Sequence, residues 1–269
     1  MSIKTALRPM WPMSQAKQRV KRLQQLYWCY FRPLYCQLIP TPPASRVLVL
    51  APHIDDDVIG CGGVLRQHVS NNAVVTAVYM RQGGPQRESE ARDAASVIGT
   101  TNLVFLRWGP PPSNGRRWHT VPTTKAEISL TDRFQRDLAE VLDQYQPEVV
   151  CTPFFLDPHP DHATATHVLR AAMAIAKTSV ETCYLYEVWT PLVPNVVVNI
   201  SEEAEIKRRA INAHRSQVER MNLDLGILGL NAYRAEMNRL KGYAEAYLRL
   251  RPEELAEMLR AAGEQSGGQ

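Results

Sequence analysis

The sequence predicts an α/β fold of Rossmann-like type, a mostly parallel sheet flanked by helices. Two patterns and one composition predict it. Apolar, β-branched runs recur along the chain, helix-like stretches separate them, and 269 residues with 45% hydrophobic and 22% charged side chains suffice for one sizeable core. The strand-like runs are Val47 to Leu50, Val74 to Tyr79, Leu103 to Leu106, Val149 to Phe155, Tyr184 to Val188 and Val196 to Ile200. Helical stretches fall at about 57–70, 87–99, 126–145 and 162–177. Strands alternating with helices imply βαβ units. The Ala-, Leu-, Glu- and Arg-rich stretch from Glu202 to Arg260 reads as two or three helices packed against the sheet.

The main domain is expected over 45–220. It is preceded by a basic aromatic segment and Pro-rich linker (1–44) and followed by a helical extension on the same body (221–269). Net charge is +4, but it is unevenly spread: Met1 to Ile54 carries eight Lys or Arg and no acid. Residues 17–38 mix those cations with Leu, Tyr, Trp and Phe. Peripheral contact with an anionic membrane surface would use such a mixture, and so would a helix docked on the body with its lysines in water. No run approaches the roughly 18 apolar residues of a membrane span. Five cysteines without a CxxC pair, and no secretory signal pattern, predict reduced thiols and a cytoplasmic protein, with the inner face of the membrane as the peripheral variant. No nucleic-acid motif accompanies the charge.

The chemistry gathers at two strand ends. Ala51-Pro-His53-Ile-Asp55-Asp56-Asp57 follows the first strand and runs into Gly60-Cys-Gly62-Gly63. Adjacent carboxylates repel unless a cation or several donors share their charge. A dinucleotide loop is excluded, because the third glycine of GxGxxG is missing and three aspartates would repel a pyrophosphate. His53 and Asp56, three apart at a strand-to-helix junction, suit zinc or iron(II). A second cluster, Asp157-Pro-His159-Pro-Asp161-His162, follows the strand near Val149. In open α/β sheets ligands bind beyond the carboxyl ends of the strands, so the two clusters can converge.

Together these motifs resemble the PIG-L/LmbE family of zinc-dependent N-acetylglucosamine-type deacetylases. Arg87-x-x-Glu90, Tyr186-Glu187 and Lys207 followed by His214-Arg-Ser216-Gln217 agree with that family, and the likeness spans about Arg46 to Gln217. The resemblance implies a metal held by His53, Asp56 and His162, with zinc first and iron(II) second. It further implies Asp55 as general base and His159 as a cationic partner of the developing oxyanion, with Asp161 as the carboxylate that would hold it protonated. Arg87 would contact a sugar hydroxyl or phosphate. The implied activity is removal of an N-acetyl or other N-acyl group from an amino sugar or its conjugate, small or lipid-linked. Ile54 and Asp57 stand where the family has proline and glutamate, and Arg107-Trp108-Gly109 stands where many relatives carry a sugar-contacting aspartate, so acyl group or sugar can differ. Rival readings are a metal-dependent phosphoesterase and a non-catalytic membrane-associated binding protein that keeps the fold. His68, His119 and His167 read as ordinary residues, and His214 as either near the site or on a helix surface.

Overall fold

A computed structural model describes residues 36–109 and 125–266. The basic aromatic stretch up to residue 35, the loop at 110–115 and His119 lie outside the described residues. The elements are β1 (Gln37–Ile39), β2 (Arg46–Ala51), α1 (Asp56–Ser70), β3 (Val74–Arg81), α2 (Gly84–Ile98), β4 (Asn102–Trp108), α3 (Lys125–Tyr145) and β5 (Val149–Pro153). They continue with α4 (Pro160–Ile175), β6 (Thr182–Tyr186), β7 (Val196–Asn199), α5 (Ala204–Ala213), the single turn α6 (Arg215–Val218), α7 (Leu223–Met237), β8 (Ala244–Leu250) and α8 (Pro252–Ser266).

The eight strands among the described residues form one sheet in the order β1-β7-β8-β6-β5-β2-β3-β4. Pairing is parallel except around β8, which lies antiparallel between β6 and β7. Strand β2 has a run of buried residues because both sheet faces are covered: Val47, Val49 and Ala51 join a core with α1, α2 and α5, whereas Leu48 and Leu50 join one with α3, α4 and α8. The chain runs outward from β2 to β3 and β4, then returns to the other side of β2 with β5. That reversal makes β2 and β5 neighbours at a topological switch point, where the carboxyl ends of two strands open a crevice.

Helix α1 lies unusually close to the sheet. A Cβ at Gly60 would come 2.1 Å from the Tyr186 ring, and one at Gly63 would come 2.6 Å from Ile200. Its depth is set by Glu245 of β8, whose carboxylate accepts from the amides of Gly63 and Val64 at 2.8 and 2.9 Å, from Lys207 Nζ at 2.6 Å and from Tyr247 Oη at 2.6 Å. Lys207 is fully enclosed.

Strand β8 corrects the sequence reading, which took this region as helical. Ala244-Glu-Ala-Tyr-Leu-Arg-Leu250 has helix-forming composition, but the slot between β6 and β7 and the Glu245–Lys207 pair select the extended form. The sheet therefore takes strands from both flanking segments, β1 from 1–44 and β8 from 221–269.

Two stability outcomes follow from this packing. Lys207→Ala leaves the Glu245 carboxylate buried without its cation and should cost about 3–5 kcal/mol in urea unfolding, more than the double variant Lys207→Met with Glu245→Gln. The second concerns His68 near the end of α1, which is buried with no partner for Nε2; burial pushes its pKa from 6.5 to about 4. Above pH 6.5 neither folded nor unfolded chain protonates it. Between 6.5 and 4 only the unfolded chain binds the proton, so stability should fall by roughly 1.4 kcal/mol per pH unit, roughly 3 kcal/mol in all. His68→Leu should remove that component when unfolding is compared at pH 7 and pH 5.

Candidate metal and active site

The turn after β2 is wound tightly on His53: its carbonyl accepts from the amides of Asp55 and Asp56, and its own amide donates to Asp56 Oδ2 at 2.8 Å. This turn points the His53 ring and the Asp56 carboxylate the same way. From the β5 side, α4 begins with His159 as its N-cap and carries His162 in its first turn. The three donor atoms meet at the switch point. His53 Nδ1 lies 3.1 Å from Asp56 Oδ2, His162 Nε2 lies 3.4 Å from the same oxygen, and the two nitrogens are 3.3 Å apart. Bonds of about 2.0–2.1 Å at tetrahedral angles place donor atoms about 3.3–3.4 Å apart, so this triangle fits a zinc-sized ion with one position left open. His159 also offers a ring nitrogen, and the ligand atoms of His53, His159 and His162 lie within 4.8 Å of one another. The triangle containing Asp56 is tighter.

The remaining nitrogen of each imidazole faces a carboxylate. His53 Nε2 is 3.2 Å from Asp161 Oδ2, and His162 Nδ1 is 3.0 Å from Asp157 Oδ1. A carboxylate behind a ligating imidazole fixes ring orientation and tautomer. Asp161 is itself held by Arg81, which also donates to the Gly109 carbonyl. Asp157 additionally accepts from the amides of His159, Trp189 and Thr190 at 2.9 to 3.2 Å.

Electrostatics agree with a cation site. Burial by itself would lower the pKa of both ligand imidazoles, but Asp56 with Asp161 raises His53 to about 10, and Asp56 with Asp157 raises His162 to about 9. Asp56, against its own burial, is held far below the carboxylate range by those same rings. A field that draws protons onto buried imidazoles also draws a divalent ion, which displaces them.

Asp55 stands next to this triangle. Burial, then the Asp56 charge, raises its pKa to about 6, and Arg87 opposes the rise. Arg87 Nη2 lies 2.9 Å from Asp55 Oδ2 and 2.9 Å from the Ile54 carbonyl, so the arginine expected at the substrate also holds the aspartate. Asp57 turns away and accepts from Tyr79 Oη at 2.9 Å.

His159 departs from the expectation of a cation held by the Asp161 carboxylate. That carboxylate is committed to His53 and Arg81, and the Asp161 amide donates to His159 Nδ1 at 3.2 Å. Burial, followed by the charges of His53 and His162, lowers the His159 pKa. Its Nδ1 acts as an acceptor, which places the ring proton of neutral His159 on Nε2.

The weaker motifs come together beside α2. Ser216 donates its amide and hydroxyl to Glu90 at 2.9 and 2.7 Å. His214 is buried there with neither ring nitrogen bonded, and burial, then Arg87, lowers its pKa to about 4. Tyr186 donates to the Leu50 carbonyl, and Glu187 pairs with Arg234. Sequence reasoning assigned no role to Arg81 or Asp157. Asp157 carried a signal in the Asp-Pro-His-Pro-Asp-His spacing; Arg81, at a strand end, carried none.

Residues 48–173, which contain both halves of this site, match the family model described as PIG-L, GlcNAc-PI de-N-acetylase. The chain is 27% identical to a 1D-myo-inositol 2-acetamido-2-deoxy-alpha-D-glucopyranoside deacetylase of a Mycobacterium species, over 69% of this chain and 77% of that protein. Two solved structures share the fold. The N,N'-diacetylchitobiose deacetylase of Pyrococcus horikoshii superposes with a TM-score of 0.63 at 20% identity, covering 91% of this chain and 95% of the other. GalB, the 4-carboxy-2-hydroxymuconate hydratase of Pseudomonas putida, reaches 0.62 at 20% identity, covering 77% and 96%. One PIG-L-like fold thus carries different reactions, so the reaction must be argued from side chains.

The carboxylate behind His162 provides the test of this geometry. Asp157→Asn should weaken binding of zinc to the metal-stripped protein by about 10- to 100-fold in competition with a chromophoric chelator. His162→Ala should abolish tight binding.

Proposed function

We propose that this protein is a metal-dependent hydrolase that removes the acetyl group, or a related N-acyl group, from an amino sugar or its conjugate. The observation that carries the reading is the triangle of His53 Nδ1, Asp56 Oδ2 and His162 Nε2 with Asp55 beside it and outside it. The Mycobacterium relative supports the amino-sugar class by its name. Two imidazoles and one carboxylate suit zinc, with iron(II) the second candidate. A divalent cation held there supplies an acidified water and a polarised amide carbonyl.

This chain's own groups do the rest. Asp55 takes a proton from the attacking water and returns it to the departing amine, so water and amide become carboxylic acid and free amino sugar. Arg87 keeps the carboxylate aimed. His159 donates its Nε2 proton as a hydrogen bond to the oxygen that gains charge during attack, a role a neutral imidazole fills. Asp161 and Arg81 act through His53 as positioning residues.

The phosphoesterase alternative would draw on bridging carboxylates for a second ion. Here Asp157 and Asp161 are committed to imidazoles and Asp57 to Tyr79. A second reading, addition of water to a carbon–carbon double bond at the same site, has only the fold likeness to a hydratase behind it. No helix among the described residues is long and apolar enough to cross a membrane. We place the protein in the cytoplasm on the strength of its buried free thiols Cys61, Cys151 and Cys183; peripheral contact through residues 17–38 is the membrane-associated form of this reading.

The test is acetate release by the metal-loaded protein from free, nucleotide-linked, glycoside-linked and lipid-linked acetamido sugars. Asp55→Ala should keep one metal per chain and lose roughly 100- to 10,000-fold in kcat. Undiminished release by that variant would remove Asp55 from the role. Hydration of an unsaturated acid, with no acetate from any sugar, would select the second reading.

A further inference from the structure

A cavity of about 180 Å³ lies between α1, the turn after β6 and the start of α7, with Ile59, Val188, Trp189, Met221, Leu223 and Ile227 in its apolar lining. Two hydrogen bonds tie it to the chemistry. The amide of Ile59 donates to the Asp55 carbonyl, and the amide of Trp189 donates to the Asp157 carboxylate that holds His162. The lining is apolar apart from Asn222, and the rim is open: Trp189 is 54% and Met221 46% exposed. A polar amino sugar gains little from such walls.

A second observation concerns the floor. Gly226 lies inside helix α7, where glycine costs about 1 kcal/mol relative to alanine. At Gly60 the sheet forbids a side chain, but a Cβ added at Gly226 meets nothing within 4 Å. Packing within the described residues therefore does not demand glycine here, and Gly226 is one of the residues that line the cavity. Neighbouring Leu225 is 72% exposed.

We infer that this cavity takes a linear alkyl chain carried by the substrate. The inference rests on the deacylase reading, because two of the lining residues are hydrogen-bonded to groups of the water-activating site. Alkyl carbon matches the lining, an open end admits a chain of variable length, and the bare Gly226 backbone leaves room for it. The chain can belong to the scissile acyl group or to the aglycone; both present the same chemistry to the walls.

The experiment measures kcat/KM of the metal-loaded full-length protein in two series. One lengthens the acyl group from N-acetyl to N-hexanoyl on free glucosamine. The other keeps N-acetyl and lengthens the glycoside from methyl to octyl, below micellar concentration. In one series kcat/KM should rise about fourfold per buried methylene, reaching on the order of 50-fold before it levels off, and the series that rises identifies the source of the chain. Gly226→Leu fills the cavity and should flatten that series while the melting temperature is kept or raised. Trp189→Ala, which removes a wall, should shallow the slope.

Acetate release with no dependence on chain length in either series would overturn the inference and leave the deacylase reading standing. Slopes unchanged by Gly226→Leu, with the sedimentation mass altered, would overturn it in favour of an interface between copies. With no acyl release from any substrate the deacylase reading fails, and the cavity is then judged by octyl glucoside titrated against tryptophan fluorescence. Saturable binding lost in Gly226→Leu supports the alkyl site, and its absence overturns it.

Discussion

One carboxylate oxygen, Asp56 Oδ2, stands between two imidazoles, one from the turn that follows β2 and one from the helix that follows β5. It lies 3.1 Å from His53 Nδ1 and 3.4 Å from His162 Nε2, and it is the point at which the ends of β2 and β5 are joined chemically. Three consecutive aspartates in a buried turn would otherwise repel one another. The structure resolves that repulsion by giving each a separate partner: Asp56 the imidazoles, Asp55 the Arg87 guanidinium, Asp57 the Tyr79 hydroxyl. Separate partners also separate their acidities. Asp56 is driven strongly acidic, while burial lifts Asp55 to about 6 and Asp57 to about 7. Carboxylates of identical chemistry thereby become fit for binding a cation and for moving a proton.

The site depends on a scaffold that holds both of its halves at fixed depth. Helix α1 starts at Asp56, and its height over the sheet is set by glycine contacts and by Glu245 reaching from β8 to the Gly63 and Val64 amides. On the other side Asp157 holds His162 with one oxygen and the Trp189 and Thr190 amides with the other. The same carboxylate therefore orients a ligand and positions the wall of the apolar cavity. Site and cavity thus share one support, the Asp157 carboxylate.

Much of the fold was legible because burial on both faces writes itself as uninterrupted apolar runs. Val47 to Leu50, Val74 to Tyr79 and Val149 onward became β2, β3 and β5 at those positions. Strand β8 was not legible. Its alanines, leucines and glutamate read locally as helix, and what makes it a strand is the pairing with β6 and β7 and a buried lysine on α5. Likewise β1 is three residues long and gains its place only by pairing with β7.

For the site, residue types and strand-end positions marked His53 with Asp56, and the cluster from Asp157 to His162, as groups able to converge, because an α/β sheet places such ends together, whereas the separate roles of Asp55, His159 and His162 came with the family resemblance. Sequence also determined that the first cluster could not cradle a pyrophosphate, since charge and missing glycine are local properties. Only tertiary structure decided the partnerships. Asp161 serves His53 and Arg81 rather than His159, Arg87 holds Asp55, and Trp189 closes a cavity against α7. A sequence records which groups exist and where the chain turns. Which oxygen meets which nitrogen depends on side-chain reach between strands a hundred residues apart, and that is settled when the sheet closes.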